Sequence, residues 1–457
     1  MDATAVAGCF RDKSILITGS TGFLGKLLVE KILRVQPAVK KLYLLVRAAD
    51  AASAEQRVFS DVIEMDLFNV LRKKYGLAGF QSFIQEKVVP LAGDIIYENF
   101  GLDNSRADAL SKDIDVIING AATTNFCERY DVALASNALG PRNACEFAKK
   151  CPNLKLLLHI STAFVAGTQE GLLLEKAFQN GETLREGYYM DIEAELQLVD
   201  KIKSELTAAK SGTSEQLEKS TMKELGLKRA CHFGWPNVYT FTKTMGEILL
   251  GQRRGNLPVV IIRPTMVTST YQDPFPGWIE GARTIDALIV AYNEQAFPCF
   301  IGDRSNVIDA IPADIVINAA MVAIAVHWNE EAQVIYHMEP LNQTKFYQLG
   351  NGGNLIFERD LDALSVNLGR PHPEFFGTQV NDQPGGELQW VIVADLRGRM
   401  EPPASERIHF TIRESNSLDG LACALQEALA RLCGQNVIGI QDSRFAHFAR
   451  HDSIGGP

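Results

Sequence analysis

A doubly wound α/β fold, in which a parallel sheet is covered by helices on both faces, is predicted by three features of this 457-residue chain. Short runs rich in Val, Ile and Leu recur from Ser14 to Ile262, helix-length segments separate most of them, and a glycine-rich turn joins the first run to an amphipathic helix. Each run is continuously apolar rather than alternating, the pattern of strands buried on both faces.

In chain order the predicted strands are Ser14–Thr18, Lys41–Val46, Lys87–Leu91, Asp115–Ile118, Leu154–Ile160 and Val259–Ile262. The rhythm fails between about Gln169 and Phe233, where charges of both signs accompany two predicted helices, Asp191 to Lys210 and Ser214 to Leu225. That stretch reads as an insertion, either a solvated surface subdomain or a lid over a substrate. Beyond Met338 the texture changes: Gly350, Gly352, Gly353, Pro371, Pro373 and Pro384 mark breaks. Strand-like runs follow at Leu388–Ala394 and Arg407–Ile412, then a helix through Leu418, Leu421, Leu425, Leu429 and Leu432, then an apolar run at Val437–Ile440. The expected division is one unit over 8–338, with the insertion at about 169–233, and a small α+β module over 339–457 that carries no evident chemistry.

A hydrophobic fraction of 46% with 22% charged residues is ordinary for a soluble globular chain and excludes disorder. A net charge of -10 and a pI near 5.4 argue against nucleic acid as the main partner, which needs a clustered basic surface. The eight cysteines are scattered singly without a CxxC pair, which suggests a reducing compartment and no metal site. The apolar run Ile315 to His327 is interrupted by Asn318 and falls short of the roughly 18 to 20 residues that span a bilayer. The N-terminus lacks a signal or transit pattern before the first strand, so a cytoplasmic protein is expected.

Thr18-Gly19-Ser20-Thr21-Gly22-Phe23-Leu24-Gly25 follows the first strand and opens a helix through Leu27, Leu28 and Ile32. A glycine allows the tight turn, a second lets the backbone approach a pyrophosphate, and a third lets helix and strand pack closely, while the helix N-terminus offers amides and a positive dipole. A turn that only packs is the alternative. The spacing is GxxGxxG rather than GxGxxG. At the end of the second strand stands Arg47, where selection for NAD would place a carboxylate; a guanidinium suits a 2′-phosphate and points to NADPH, unless Arg47 is a surface charge partly offset by Asp50. Gly93-Asp94-Ile95 is placed to meet an adenine. Asn119-Gly120-Ala121-Ala122 would bring small residues to the cofactor, with backbone packing an equal explanation for the alanines.

Ser161-Thr162-Ala163-Phe164-Val165 ends the fifth strand, where open α/β sheets bind ligands. Tyr239 and Lys243 form an i,i+4 pair on one helix face. A phenol of pKa about 10 needs help to work at neutral pH, and a neighbouring ammonium would favour the phenolate. YxxxK alone is more often an ordinary helix face; after a glycine loop and a strand-five Ser-Thr it becomes specific.

Together these residues resemble the extended short-chain dehydrogenase/reductases, and among them the plant fatty acyl-CoA reductases, the family that includes the male-sterility protein of pollen walls. The matching segments are Ile17 to Lys26, Asn119 to Phe126, His159 to Val165, Gly234 to Lys243, Arg263-Pro264-Thr265 and Pro276 to Gly281. They run over about residues 8 to 338, insertion included. Phe164 stands where many relatives have tyrosine, and residues after about 340 do not match the mostly helical domain with which the family continues. The resemblance implies an NAD(P)-binding Rossmann fold of the extended type. It implies Thr162, Tyr239 and Lys243 for catalysis, and Gly19, Thr21, Gly22, Phe23, Leu24, Gly25, Arg47, Asp94, Ile95, Ala121, Ala122, Tyr239 and Lys243 around NADPH. The implied substrate is a long-chain acyl-CoA, reduced through an aldehyde to a primary alcohol, with peripheral contact to the endoplasmic reticulum membrane. Another carbonyl substrate, such as a sugar nucleotide or a flavonoid, and a silent cofactor-binding protein remain alternatives at this point.

Overall fold

The computed structural model describes residues 2–169, 173–208, 215–281, 285–286 and 307–338, and beyond these only the backbone of strands at 344–348, 355–358, 389–392 and 408–411. Seven parallel strands form the main sheet: β1 (Ser14–Thr18), β2 (Lys41–Val46), β3 (Val88–Ala92), β4 (Val116–Asn119), β5 (Leu156–Ile160), β6 (Val259–Pro264) and β7 (Gln333–Met338). Their order is β7-β6-β5-β4-β1-β2-β3, so the direction of winding reverses between β1 and β4. At such a switch point the loops leaving the two strands diverge and open a crevice at the carboxyl edge. The doubly wound expectation holds, with β3, β4 and β5 starting one or two residues later than predicted.

Strand residues alternate between two cores. Ile15, Ile17, Val116, Ile118, Leu156, Leu158, Val260 and Ile262 join the core that contains α1 (Phe23–Val35) and the helix Ala313–Val326. Leu16, Ile117, Leu157, Val259 and Ile261 face the opposite core, with α2 (Gly140–Ala148) and the end of α5 (Val238–Arg253). The apolar run around Ile315 is thus a 14-residue helix packed on the sheet. Among the described residues no helix is long and apolar enough to cross a membrane.

The insertion supplies α3 (Ile192–Ala208) and α4 (Glu215–Phe233). It is not a detached surface subdomain. Met190, Val199, Met222, Ala230 and Phe233 share a core with Tyr130, Trp235, Val238, Phe241 and Met245. Buried Glu195 accepts a two-point hydrogen bond from Arg229 and one of 2.8 Å from the Tyr130 hydroxyl. Helix α4 runs eight residues past the predicted end at Leu225. Gly226 resembles a helix stop, but a Cβ there would lie 2.8 Å from Val238 and 2.9 Å from Tyr130, so the glycine serves close packing. Strand β7 is unforeseen: at the sheet edge its mixed Gln333, Tyr336 and His337 carry no continuous apolar signal.

The C-terminal strand runs are present as backbone, Gln389–Ile392 paired antiparallel with Ile408–Thr411. The expected helix through Leu418–Leu432 and the run Val437–Ile440 lie outside the described residues.

Candidate active site

The glycine loop leaves β1 at the switch point. Gly19 has φ +73°, a left-handed conformation, and a Cβ on it would lie 2.6 to 2.8 Å from the backbone of Gly120 and Ala121. The loops after β1 and β4 therefore touch. A Cβ on Gly25 would sit 2.2 Å from the Gly19 carbonyl, so α1 can press its first turn on the loop only without a side chain there. Gly22 caps α1 without a side-chain bond, which leaves the first N–H groups of the helix for an anion. Ser20 Oγ is buried without a partner beside them. Thr21, Phe23 and Leu24 complete the turn; Phe23 stacks on Trp278 at 5.4 Å, and Lys26 pairs with Glu280, which sets the Pro276–Gly281 segment against the start of α1. A loop pared to bare backbone, with free helix amides and an orphaned hydroxyl, fits a dinucleotide pyrophosphate.

Arg47 is exposed just past β2. Asp50 does not offset it: its carboxylate caps the next helix by accepting the Ser53 N–H at 2.8 Å. Arg57 donates to the Arg47 carbonyl at 2.7 Å while pairing with Asp61 at 3.1 Å, a second guanidinium that sequence reasoning missed. After β3, Asp94 Oδ1 accepts the Ile96 N–H at 3.2 Å, while the Ile95 side chain turns into the core and its carbonyl accepts from Asn143 at 3.0 Å. Ala121 donates its N–H to Thr18 Oγ1 at 3.1 Å, and Ala122 is exposed at the crevice.

Thr162 follows β5 and starts a 3-10 turn, its hydroxyl accepting the Phe164 N–H at 3.3 Å and reaching the Pro264 carbonyl at 3.4 Å. Trp235 Nε1 donates to the Val165 carbonyl at 2.8 Å, tying the entry to α5 to that turn. Asn237 caps α5 through the Thr240 N–H at 2.9 Å. One residue into the helix stands Tyr239. Burial pushes its phenol up to about 12, and the nearby Thr162 hydroxyl eases it back. Lys243 is not among the groups that shift it, so without cofactor burial outweighs any pull of the ammonium on the phenol. Phe126 lies 5.8 Å from its ring.

Lys243 is 1% exposed, and its ammonium donates to the Ile160 carbonyl at 2.7 Å. Burial lowers it to about 8, partly opposed by Glu247 one turn on. Glu247 accepts Ser161 Oγ and a two-point bond from Arg263 of 2.6 and 3.1 Å. This buried pair locks the ends of β5 and β6 to α5. Asn137, in a π-helical turn before α2, holds the β4 loop through the Thr123 backbone and reaches Thr242 at 3.1 Å. Sequence reasoning assigned roles to none of His159, Glu247, Arg263 and Asn137; the available signal is a polar residue in an otherwise apolar strand or helix face. Among the described residues no cluster could hold a metal ion. Among the described residues Cys9, Cys145, Cys151 and Cys231 are free thiols.

The sequence profile of the family described as "Male sterility protein" matches residues 17–320. The chain is 53% identical to the probable fatty acyl-CoA reductase 4 of Arabidopsis thaliana, covering 78% of this chain and 74% of that one. It is 48% identical to the alcohol-forming fatty acyl-CoA reductase of Simmondsia chinensis, over 72% and 66% of the two chains. It therefore spans about two thirds to three quarters of these proteins' lengths. The terminal reductase domain of the myxalamid biosynthetic pathway superposes with a TM-score of 0.51 at 21% identity, over 76% of this chain and 72% of that one, a likeness of fold. The family profile covers the glycine loop and the Tyr239–Lys243 helix alike, the relatives so named match over most of the chain, and the chain belongs to the fatty acyl-CoA reductase family of oxidoreductases.

Proposed function

We propose that this protein is an NADPH-dependent, alcohol-forming reductase of long-chain acyl-CoA, with its reductase unit over residues 8–338 and an atypical C-terminal region over 339–457. The observation that carries the reading is the placing of Thr162 after β5 and Tyr239 at the start of α5, at the carboxyl edge of the sheet, with Lys243 anchored on the Ile160 carbonyl one turn on. Arg47 and Arg57 beside the β2 end support the 2′-phosphate.

A bound NADPH would supply one hydride to the carbonyl carbon in each of two reductions, a second NADPH replacing NADP⁺ between them. The hydroxyls of Thr162 and Tyr239 donate to the carbonyl oxygen and stabilise its growing negative charge. Thr162 can do so because its 3.4 Å contact with Pro264 is weak and readily exchanged. After the first reduction the C–S bond breaks, CoA leaves as thiolate, and an aldehyde remains under the same two donors. After the second, Tyr239 gives its proton to the alkoxide, which a phenol held at about 12 can do at neutral pH. Lys243 holds the cofactor ribose and restores the phenol. An apolar chain held at about 0.8 kcal/mol per buried CH₂ keeps the aldehyde in place between reductions. A cytoplasmic protein with peripheral contact to the endoplasmic reticulum suits a substrate that partitions into that membrane.

The test is the ratio of NADPH consumed to CoA released with a panel of acyl-CoAs, products identified by gas chromatography. Two NADPH per CoA with a primary alcohol is the expected result. One NADPH with accumulating aldehyde overturns the alcohol-forming reading, and no CoA release with any chain length overturns the acyl-CoA reading.

A further inference from the structure

Three neighbouring strands end in polar residues on the same face and at the same level. Register pairs Thr18 of β1 with Asn119 of β4, and Asn119 with His159 of β5. One turn of the pleat earlier, those strands place Leu16, Ile117 and Leu157 on that face, all apolar and in the core. The polar layer is dry: Thr18, Asn119 and His159 are 1%, 1% and 0% exposed. Buried polar side chains in a parallel sheet are held only by partners, and here the partners form one line. Ala121 N–H donates to Thr18 Oγ1 at 3.1 Å, Thr18 Oγ1 donates to Asn119 Oδ1 at 2.7 Å, and Asn119 Nδ2 meets His159 Nδ1 at 3.1 Å. His159 Nε2 then stands 3.5 Å from Lys243 Nζ.

The line has a direction. Thr18 Oγ1 already accepts from a backbone N–H, so its single proton goes to the Asn119 oxygen. That sets the amide with its NH₂ toward His159. His159 Nδ1 must accept, and a neutral imidazole then carries its proton on Nε2, facing Lys243. An Nε2–H meets an amine lone pair well and an ammonium badly. In its neutral form Lys243 gives one N–H to Ile160 and its lone pair to His159, and keeps one N–H for the crevice.

We propose that His159, held as the Nε2–H tautomer by Thr18 and Asn119, is a positioning residue that stabilises the neutral amine of Lys243 and so lets the lysine surrender a proton toward the Tyr239 side during turnover. The balance is simple: Tyr239 loses a proton to the product oxygen, Lys243 loses one to restore the phenol, and solvent returns one to Lys243. The titratable groups that act on Lys243 are His159 from β5, at 3.5 Å, and Glu247 from α5, whose charge is shared with Arg263 of β6. Burial and the lysine charge also hold the imidazole well below its usual pKa, in agreement with a neutral ring. The inference rests on the reductase role of Lys243 proposed above, but its first measurement does not.

That measurement is nitrogen NMR of the cofactor-free protein labelled with ¹⁵N-histidine, the His159 signal identified by its loss in His159→Phe. A bare Nδ1 and a protonated Nε2 from pH 6 to 9 are expected, and Thr18→Val, which frees the amide to turn, should move the ring toward Nδ1–H. A doubly protonated ring, or a bare Nε2 in the native protein, overturns the proposal whatever the substrate proves to be. In the pH profile of turnover, His159→Phe should move the limb that reports Lys243 upward by about half a unit or more and lower kcat roughly tenfold, with KM for NADPH little changed. His159→Gln, which keeps an N–H toward Lys243, should restore most of both. Equal losses in the two variants with an unmoved limb would make His159 structural only.

Discussion

Lys243 shows the tension between stability and chemistry at a single residue. Its folded pKa of about 8 lies below the ordinary lysine value, so the unfolded chain binds more protons between those two limits and stability from this group rises with pH across that window. Below pH 8 the buried ammonium destabilises the fold, on the order of 3 kcal/mol before the Ile160 bond is counted. Lys243→Met should therefore abolish turnover yet melt no lower than the native protein at pH 7, with the native protein gaining relative to the variant from pH 8 to 10; thermal melts at both ends check it. Tyr239→Phe should leave fold and cofactor binding intact and lower turnover by about 10² or more, the scale of losing a positioned acid. A variant with near-native turnover would place the donor elsewhere. Arg47→Asp should weaken NADPH far more than NADH in a binding titration, because a carboxylate replaces the charge-assisted donor. Arg57 beside it predicts that some NADPH preference survives. At this scale Gly19, Thr162, Tyr239 and Lys243 are legible in sequence because each belongs to a short local pattern. His159 is not, since what it touches lies 40 and 84 residues away in the chain, and Arg57 is not, since only the fold of its helix brings it back to the Arg47 carbonyl.

At the scale of elements, α5 carries two of the three reacting side chains and is held by close approach. A Cβ on Gly246 would lie 2.1 Å from the Asn137 carbonyl in the π-helical turn. Alanine is preferred over glycine inside a helix by about 1 kcal/mol, but backbone cannot yield as a side-chain tip can. Gly246→Ala should therefore be net destabilising in denaturant titration and lower turnover by displacing Tyr239 and Lys243; a stabilised variant would show that the helix can shift freely. The strands were readable because parallel sheets bury both faces and write themselves as apolar runs. Helix ends were less readable, as α4 shows: a glycine serves equally as a stop or as a packing contact, and only the neighbour across the gap decides which.

Across the whole molecule, the insertion packs on α5, which itself covers the sheet, through a core around Tyr130, Trp235 and Phe241. Arg229→Leu leaves buried Glu195 without its cation, a loss of about 3 to 5 kcal/mol, and should lower the midpoint of a single cooperative unfolding transition. Two separate transitions would instead mark the insertion as an independent unit. Sequence alone determined the doubly wound architecture, the glycine loop and the Tyr-Lys helix, because periodicity and turn chemistry are properties of neighbouring residues. Tertiary structure alone decided that burial raises the Tyr239 phenol, that Lys243 is buried against Ile160 and His159, and that Asp50 caps a helix. Those outcomes depend on desolvation and on hydrogen bonds between strands and helices distant in the chain, and both exist only once the layers have packed.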